Sequence, residues 1–205
     1  MGTGTKIALG LVGAVLLLVL VVGATVASTY NSLVTVDQAA QAQWGQVQNV
    51  YQRRADLVPN LVATVKGAAN FEQSTLTAVT EARARVGQVT SGAVENIARD
   101  PQAFARFQQA QDGLSSALSR LMVVVERYPE LKATQNFRDL QAQLEGTENR
   151  ITVERMRFNE AAQAFNTKRD TFPTVLIAGF FGSRFQEKPY FQAQTGAEKA
   201  PEVKF

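Results

Sequence analysis

From about residue 30 onward, apolar side chains recur at alternating spacings of three and four, which places them on one stripe of an α-helix and matches no strand pattern. The clearest stripe runs through Phe137, Leu140, Leu144, Thr147, Ile151, Glu154, Phe158, Ala161 and Phe165. A second follows Phe104, Phe107, Gln111, Leu114, Leu118, Leu121, Val125 and Tyr128, and a third Val62, Val65, Ala69, Glu72, Leu76, Val79, Arg83 and Val86. A weaker first stripe holds Leu33, Val36, Ala40, Trp44, Val47, Tyr51 and Arg54. Four helices, each with one apolar side, must bury those sides against one another. The pattern therefore predicts an all-α fold, an antiparallel four-helix bundle of long helices. Prolines mark the breaks: Pro59 and Pro101 suit the first turn of a helix, the latter behind Asp100 as N-cap, and Pro129 separates the third stripe from the fourth. The short connections at Pro59 and Pro129 imply antiparallel neighbours, and a looser segment from Gly87 to Asp100 joins the middle pair.

Ahead of the bundle the pattern changes. Ile7 to Ala27 is 21 residues long with Thr25 as its one polar side chain, and as a helix it spans roughly 30 Å, the thickness of a hydrocarbon core. It reads as an N-terminal transmembrane helix. The rival is a cleaved signal peptide ending at Ala27, but the apolar run is longer than a usual signal core. Lys6 precedes the span and no Lys or Arg follows until Arg53, so the positive-inside rule puts the N-terminus in the cytoplasm and the bundle outside. Gly10 and Gly13 lack the spacing of a helix-pairing motif. Four regions follow: cytoplasmic start and anchor (1–29), bundle (30–170), Phe-rich apolar segment (171–191) and a mobile tail (192–205).

Composition narrows the chemistry. The chain has no histidine and no cysteine, which removes the commonest general base, the commonest transition-metal ligand and any thiolate. Its net charge is +3 with both signs mixed along the helices, unlike the basic stripe of a nucleic-acid binder. No P-loop, dinucleotide fingerprint or serine-nucleophile motif is present. The expectation is no enzyme, no cofactor and no nucleic-acid partner.

Charges do fall on or beside the apolar seams: Arg54, Glu72, Arg83, Glu148 and Glu154. A charge there must pair or reach water, since an unpaired buried ion costs several kcal/mol. Arg–Glu pairing across the bundle is expected, with a register-setting role. A di-iron site would need Glu-x-x-His motifs that this chain lacks, so no metal is expected, although an oxygen-only Mg²⁺ or Ca²⁺ site is chemically open.

Tyr30-Asn31-x-Leu33-Val34, Trp44 and Arg53-Arg54-x-Asp56-Leu57-Val58-Pro59-Asn60-Leu61, followed by Glu81-Ala82-Arg83, Glu126-Arg127-Tyr128-Pro129, Glu148, Arg155, Phe158-Asn159, Phe165-Asn166 and Phe172-Pro173, closely resemble LemA family proteins in order and spacing. The resemblance covers residues 30 to about 185. It implies a bacterial single-pass membrane protein with a helical-bundle domain and no established enzymatic activity. Related bundle proteins occur on magnetosome membranes, which implies membrane organisation by analogy. The family pattern has tyrosine where this chain has Phe158 and Phe165, which puts any role of a tyrosine hydroxyl in doubt. Seven residues apart, both Phe face the seam, and Asn159 and Asn166 lie one step round the helix within reach of a neighbour.

Of the 12 phenylalanines, seven fall after residue 164: Phe165, Phe172, Phe180, Phe181, Phe185, Phe191 and Phe205. The stretch from Phe172 to Phe185 is too short to span a bilayer and too apolar for a free linker. Its own bundle ranks first as the place it buries itself, before the lipid interface and the next protomer. Phe172, Phe180, Phe181 and Phe185 are thus candidate lipid or self-association contacts. The leading functional expectation is a non-enzymatic, membrane-anchored scaffold that associates with itself and with the bilayer of the bacterial inner membrane. The alternative is an envelope binding module that captures a peptide or envelope component in an inter-helix groove at Trp44, Asn159 and Asn166.

Overall fold

The computed structural model describes residues 2–67, 71–91 and 97–193; the expected mobile end of the tail (194–205) and residue Ala69 of the third stripe lie outside them. The described residues are helical without strands: α1 (Thr3–Lys66), α2 (Gln73–Ser91), α3 (Pro101–Val125), α4 (Pro129–Lys132), α5 (Gln135–Asp170), α6 (Thr174–Phe180) and a 3₁₀ turn (Gly182–Phe185). At 1.5 Å per residue the 64 residues of α1 form a rod about 96 Å long. Its first part is fully exposed, with Ile7, Leu16 and Leu20 all facing outward, and it is the one helix among the described residues long and apolar enough to cross a membrane.

Below Tyr30 the same helix enters the bundle. Its buried row is Leu33, Asp37, Ala40, Trp44, Val47, Tyr51, Arg54, Val58, Leu61 and Val65, an unbroken alternation of four and three. Such a period keeps one seam facing its neighbours over the whole length. Two expectations fail here. Asp37, not Val36, occupies the seam, and Pro59 lies inside α1 instead of starting a new helix. A proline cannot donate to the carbonyl four residues back, so Ala55 C=O loses its helical partner. Arg83 of α2 supplies the replacement: its Nε donates to that carbonyl at 2.9 Å. Arg83 is therefore exposed and off the seam, whose α2 positions are Leu76, Val79, Ala82 and Val86.

The four long helices run up, down, up and down. Trp44 meets Phe104 and Arg54 meets Gln111, so α1 and α3 are parallel; Arg54 also meets Glu148 while Gln43 meets Glu154, so α1 and α5 are antiparallel. Asp100 caps α3 by accepting from the N–H groups of Gln102 and Ala103, with Pro101 at the first helical position. The single turn of α4, opened by Pro129, closes the far end and hands the chain to α5, which Thr134 caps.

Three apolar layers stack along the bundle. Farthest from the anchor, Val58, Leu61, Leu76, Leu114, Leu121 and Phe137 pack together. The middle layer is aromatic, with Trp44, Tyr51, Phe104, Phe107, Phe158 and Phe191. Nearest the anchor, Leu33 and Phe165 pack with Ala178 and Phe185. Each buried large side chain contributes about 1.5–3 kcal/mol by leaving water.

Candidate functional site

Polar side chains penetrate this core in two places. Arg54 is 0% exposed on α1, and its guanidinium donates to Glu148 at 2.9 Å, to Ser115 at 2.6 Å and to the backbone and side-chain oxygens of Gln111. Glu148 is only partly buried, so water shares the neutralisation of the pair. Nearby, Arg155 bridges the Tyr51 hydroxyl and Asp112, the latter at 3.1 Å, with its guanidinium over the Tyr51 ring. Burial pushes the Tyr51 phenol above its ordinary value despite the pull of Arg155 and Arg54. The middle of the bundle is thereby tied together by directional bonds.

The remaining seam charges are not brought together. Glu72 lies at the exposed far end against Arg127 at 2.8 Å, so it is off the buried seam. Glu154 is partly buried apart from the Arg54 cluster, bonded to Arg157 and Gln43. Among the described residues no three carboxylates converge on a point that could hold a metal ion.

The second polar site is where the chain's end returns. After the 3₁₀ turn, where Gly182 takes the positive φ of 42° that glycine tolerates best, residues 186–193 run extended along α5 toward the middle layer. Asn166 donates to Lys188 C=O and accepts from Lys188 N–H, both at 2.9 Å. Asn159 treats Phe191 identically, at 3.0 and 2.9 Å. Lys188 and Asp37 are each 2% exposed and pair at 2.6 Å, with Arg99 on the second Asp37 oxygen at 3.3 Å. Burial pushes the Lys188 ammonium below its ordinary value, with Asp37 opposing that shift. Phe191 lies among Trp44, Phe104 and Phe158, with ring centroids 4.7–6.1 Å away. Trp44 meets this segment at Phe191, and Asn159 and Asn166 meet its backbone, so the chain's own residues fill the channel between the helices there. Asp37 and Lys188 escape sequence reasoning; the spacing of Asp37 between Leu33 and Ala40 was the available signal.

The Phe-rich segment divides. Phe185 is 1% exposed beneath Tyr30 and Leu33, so it is core of this chain and cannot be a lipid or protomer contact. Phe181 leans on Tyr30 with ring centroids 4.9 Å apart. Phe172 and Phe180 are 76% and 86% exposed, and with Leu176 and Val175 they form one outward apolar face on and before α6. α6 packs against α1, and Phe181 just past its end rests on Tyr30, three residues or about 4.5 Å of helix rise from the end of the apolar run at Ala27.

The sequence is similar to those of known proteins. Magnetosome protein MamQ of Magnetospirillum gryphiswaldense is 30% identical over 183 residues, covering 80% of this chain and 67% of its own. Magnetosome protein MamQ 2 of Paramagnetospirillum magneticum is 28% identical over 184 residues, covering 81% and 68%. Protein LemA of Metamycoplasma hominis is 25% identical over 148 residues, covering 72% and 63%. The model of the LemA family matches residues 43–205; this membrane-associated helical chain belongs to the LemA family.

Proposed function

We propose that this chain is a non-enzymatic, self-associating scaffold of the bacterial inner membrane: α1 crosses the bilayer from a cytoplasmic N-terminus, the bundle stands outside, and α6 lies in the lipid boundary beside the anchor. One observation carries this reading, the exposed face of Phe172, Leu176 and Phe180 at the level where α1 leaves its apolar span. Large aromatic side chains in water are costly, and the lipid boundary is the nearest apolar phase. A membrane-organising role agrees with relatives that carry the name magnetosome protein. In the ionic clusters the terminal nitrogens of Arg54 and Arg155 and the Lys188 ammonium are held by protein oxygens, which supports a structural part for them and not a catalytic one.

The test uses the absence of cysteine. Full-length Phe180→Cys and Val123→Cys chains are spin-labelled in lipid nanodiscs, Val123 being 71% exposed at the far end of α3. The label at 180 should meet lipid-soluble oxygen more than a water-soluble nickel chelate, and the label at 123 the reverse. Equal water access at both positions refutes lipid contact, and a detergent-extracted particle with the mass of one chain refutes self-association.

A further inference from the structure

The contact between residues 186–192 and the bundle has the form of peptide recognition. The segment makes no helix or strand of its own; the bundle holds it by side-chain amides aimed at its backbone. Asn166 bonds both backbone groups of Lys188 and Asn159 both of Phe191. A third amide, Gln108 of α3, donates to Gln192 C=O at 3.0 Å and accepts from its N–H at 3.5 Å. The spacing explains the twin Phe-Asn motif. Seven residues of helix rise about 10.5 Å and three residues of extended chain cover about 10 Å, so asparagines seven apart meet backbone groups three apart. Pro189, between them, has no N–H to satisfy.

Backbone bonds of this kind supply affinity, and side-chain pockets supply selectivity. Two pockets are present. One places Asp37 on the Lys188 ammonium, which also sits 4.5 Å from the Phe165 ring centroid. The other is the aromatic box around Phe191. On the α3 side an open cleft of about 660 Å³, bordered by Phe104, Gln108 and Tyr190, leaves the segment accessible from outside.

We propose that this channel is a peptide-reading groove for an extended segment with a basic residue and, three positions on, an aromatic one, and that it takes this segment from a second copy of the chain in exchange for its own. The proposal rests on the self-associating reading and names its contact. Every copy carries the one sequence seen to satisfy both pockets, Lys188-Pro189-Tyr190-Phe191. Every bond is the same whichever chain provides it, so exchange sacrifices only the concentration advantage of the tether. Anchoring in a common membrane holds the grooves of neighbouring copies at one height and offsets part of that advantage.

Two full-length chains with different tags, Gln108→Cys and Gln192→Cys, are co-expressed and their membranes treated with a short bismaleimide; a chain carrying both substitutions reports closure within one copy. The expected result is a mixed product near twice the 22.3 kDa of one chain. Adding Lys188→Ala and Phe191→Ala to the Gln192→Cys chain should reduce it about tenfold or more, the effect of truncating buried anchors. Excess synthetic peptide of residues 186–192 should also reduce it, and the same peptide with alanine for Phe191 should not. Cross-linking confined to the doubly substituted chain overturns the proposal, as does a mixed product indifferent to both the tail substitutions and the peptide, which would report mere proximity. An oligomeric particle by mass without mixed product sinks the exchange and leaves the scaffold standing.

Discussion

Asn166→Ala isolates the backbone clamp. The substitution removes the acceptor of Lys188 N–H and the donor to Lys188 C=O, together with a 2.9 Å bond to the Tyr190 hydroxyl. Each backbone bond is worth about 0.5–1.5 kcal/mol net, so the pair contributes about 1–3 kcal/mol, which is roughly 5- to 150-fold in an opening equilibrium. Asn166 and Lys188 are both buried, so water cannot readily replace the lost partners and the upper half of that range applies. Asn159 is less buried, and Asn159→Ala should cost less. Native-state hydrogen exchange reads the effect directly: the Lys188 amide should lose protection by that factor while the Val47 amide, deep in α1, keeps its own. Less than twofold change at Lys188 would refute the clamp. Equal loss at Lys188 and Val47 would show that Asn166 supports the whole bundle and not the segment.

Arg83→Ala should destabilise the bundle by about 0.5–1.5 kcal/mol in urea unfolding, because Ala55 C=O loses its substitute donor. In a Pro59→Ala background the restored N–H makes Arg83 redundant, so the same change should cost almost nothing; additive costs would disprove the link. Arg54→Ala strips a fully buried cation from Glu148, Gln111 and Ser115 and should cost about 3–5 kcal/mol by the same measurement. Tyr51 holds its proton more tightly in the fold than in the unfolded chain, so its contribution is whole below pH 10 and is lost as pH climbs through the folded value. Urea midpoints measured across alkaline pH should therefore fall less steeply in Tyr51→Phe.

Much of the bundle was legible because its period is long and regular: the run Trp44, Val47, Tyr51 and Arg54 is buried as its spacing demands. The misreadings share one physical cause, a partner remote in sequence. Pro59 reads locally as a helix start, and only Arg83 from another helix lets the rod continue. Asp37 loses to Val36 on hydrophobicity alone, and its burial depends on Lys188, 151 residues later. Composition could not separate Phe185, inside, from Phe180, outside, because that depends on how α6 sits against Tyr30. Asn159 and Asn166 could be singled out from their repeat, but their bonding targets could not.

The returning segment answers a geometric deficit. α3 begins at the level of Trp44, and among the described residues ahead of it the turn at 97–99 reaches past that level to Asp37. From Trp44 back to Leu33, about 16 Å of rise, α1 and α5 run on toward the membrane as a pair, and two helices cannot enclose Leu33 and Phe165 between them. α6, the 3₁₀ turn and residues 186–192 supply the missing walls. A segment that left the groove would expose that layer unless α6 stayed in place, and lipid around Phe172, Leu176 and Phe180 is what could hold it there. If the proposed exchange and bilayer contact both operate, they are coupled: replacing these three side chains with serine should weaken the docking of residues 186–192 without touching any of its hydrogen bonds.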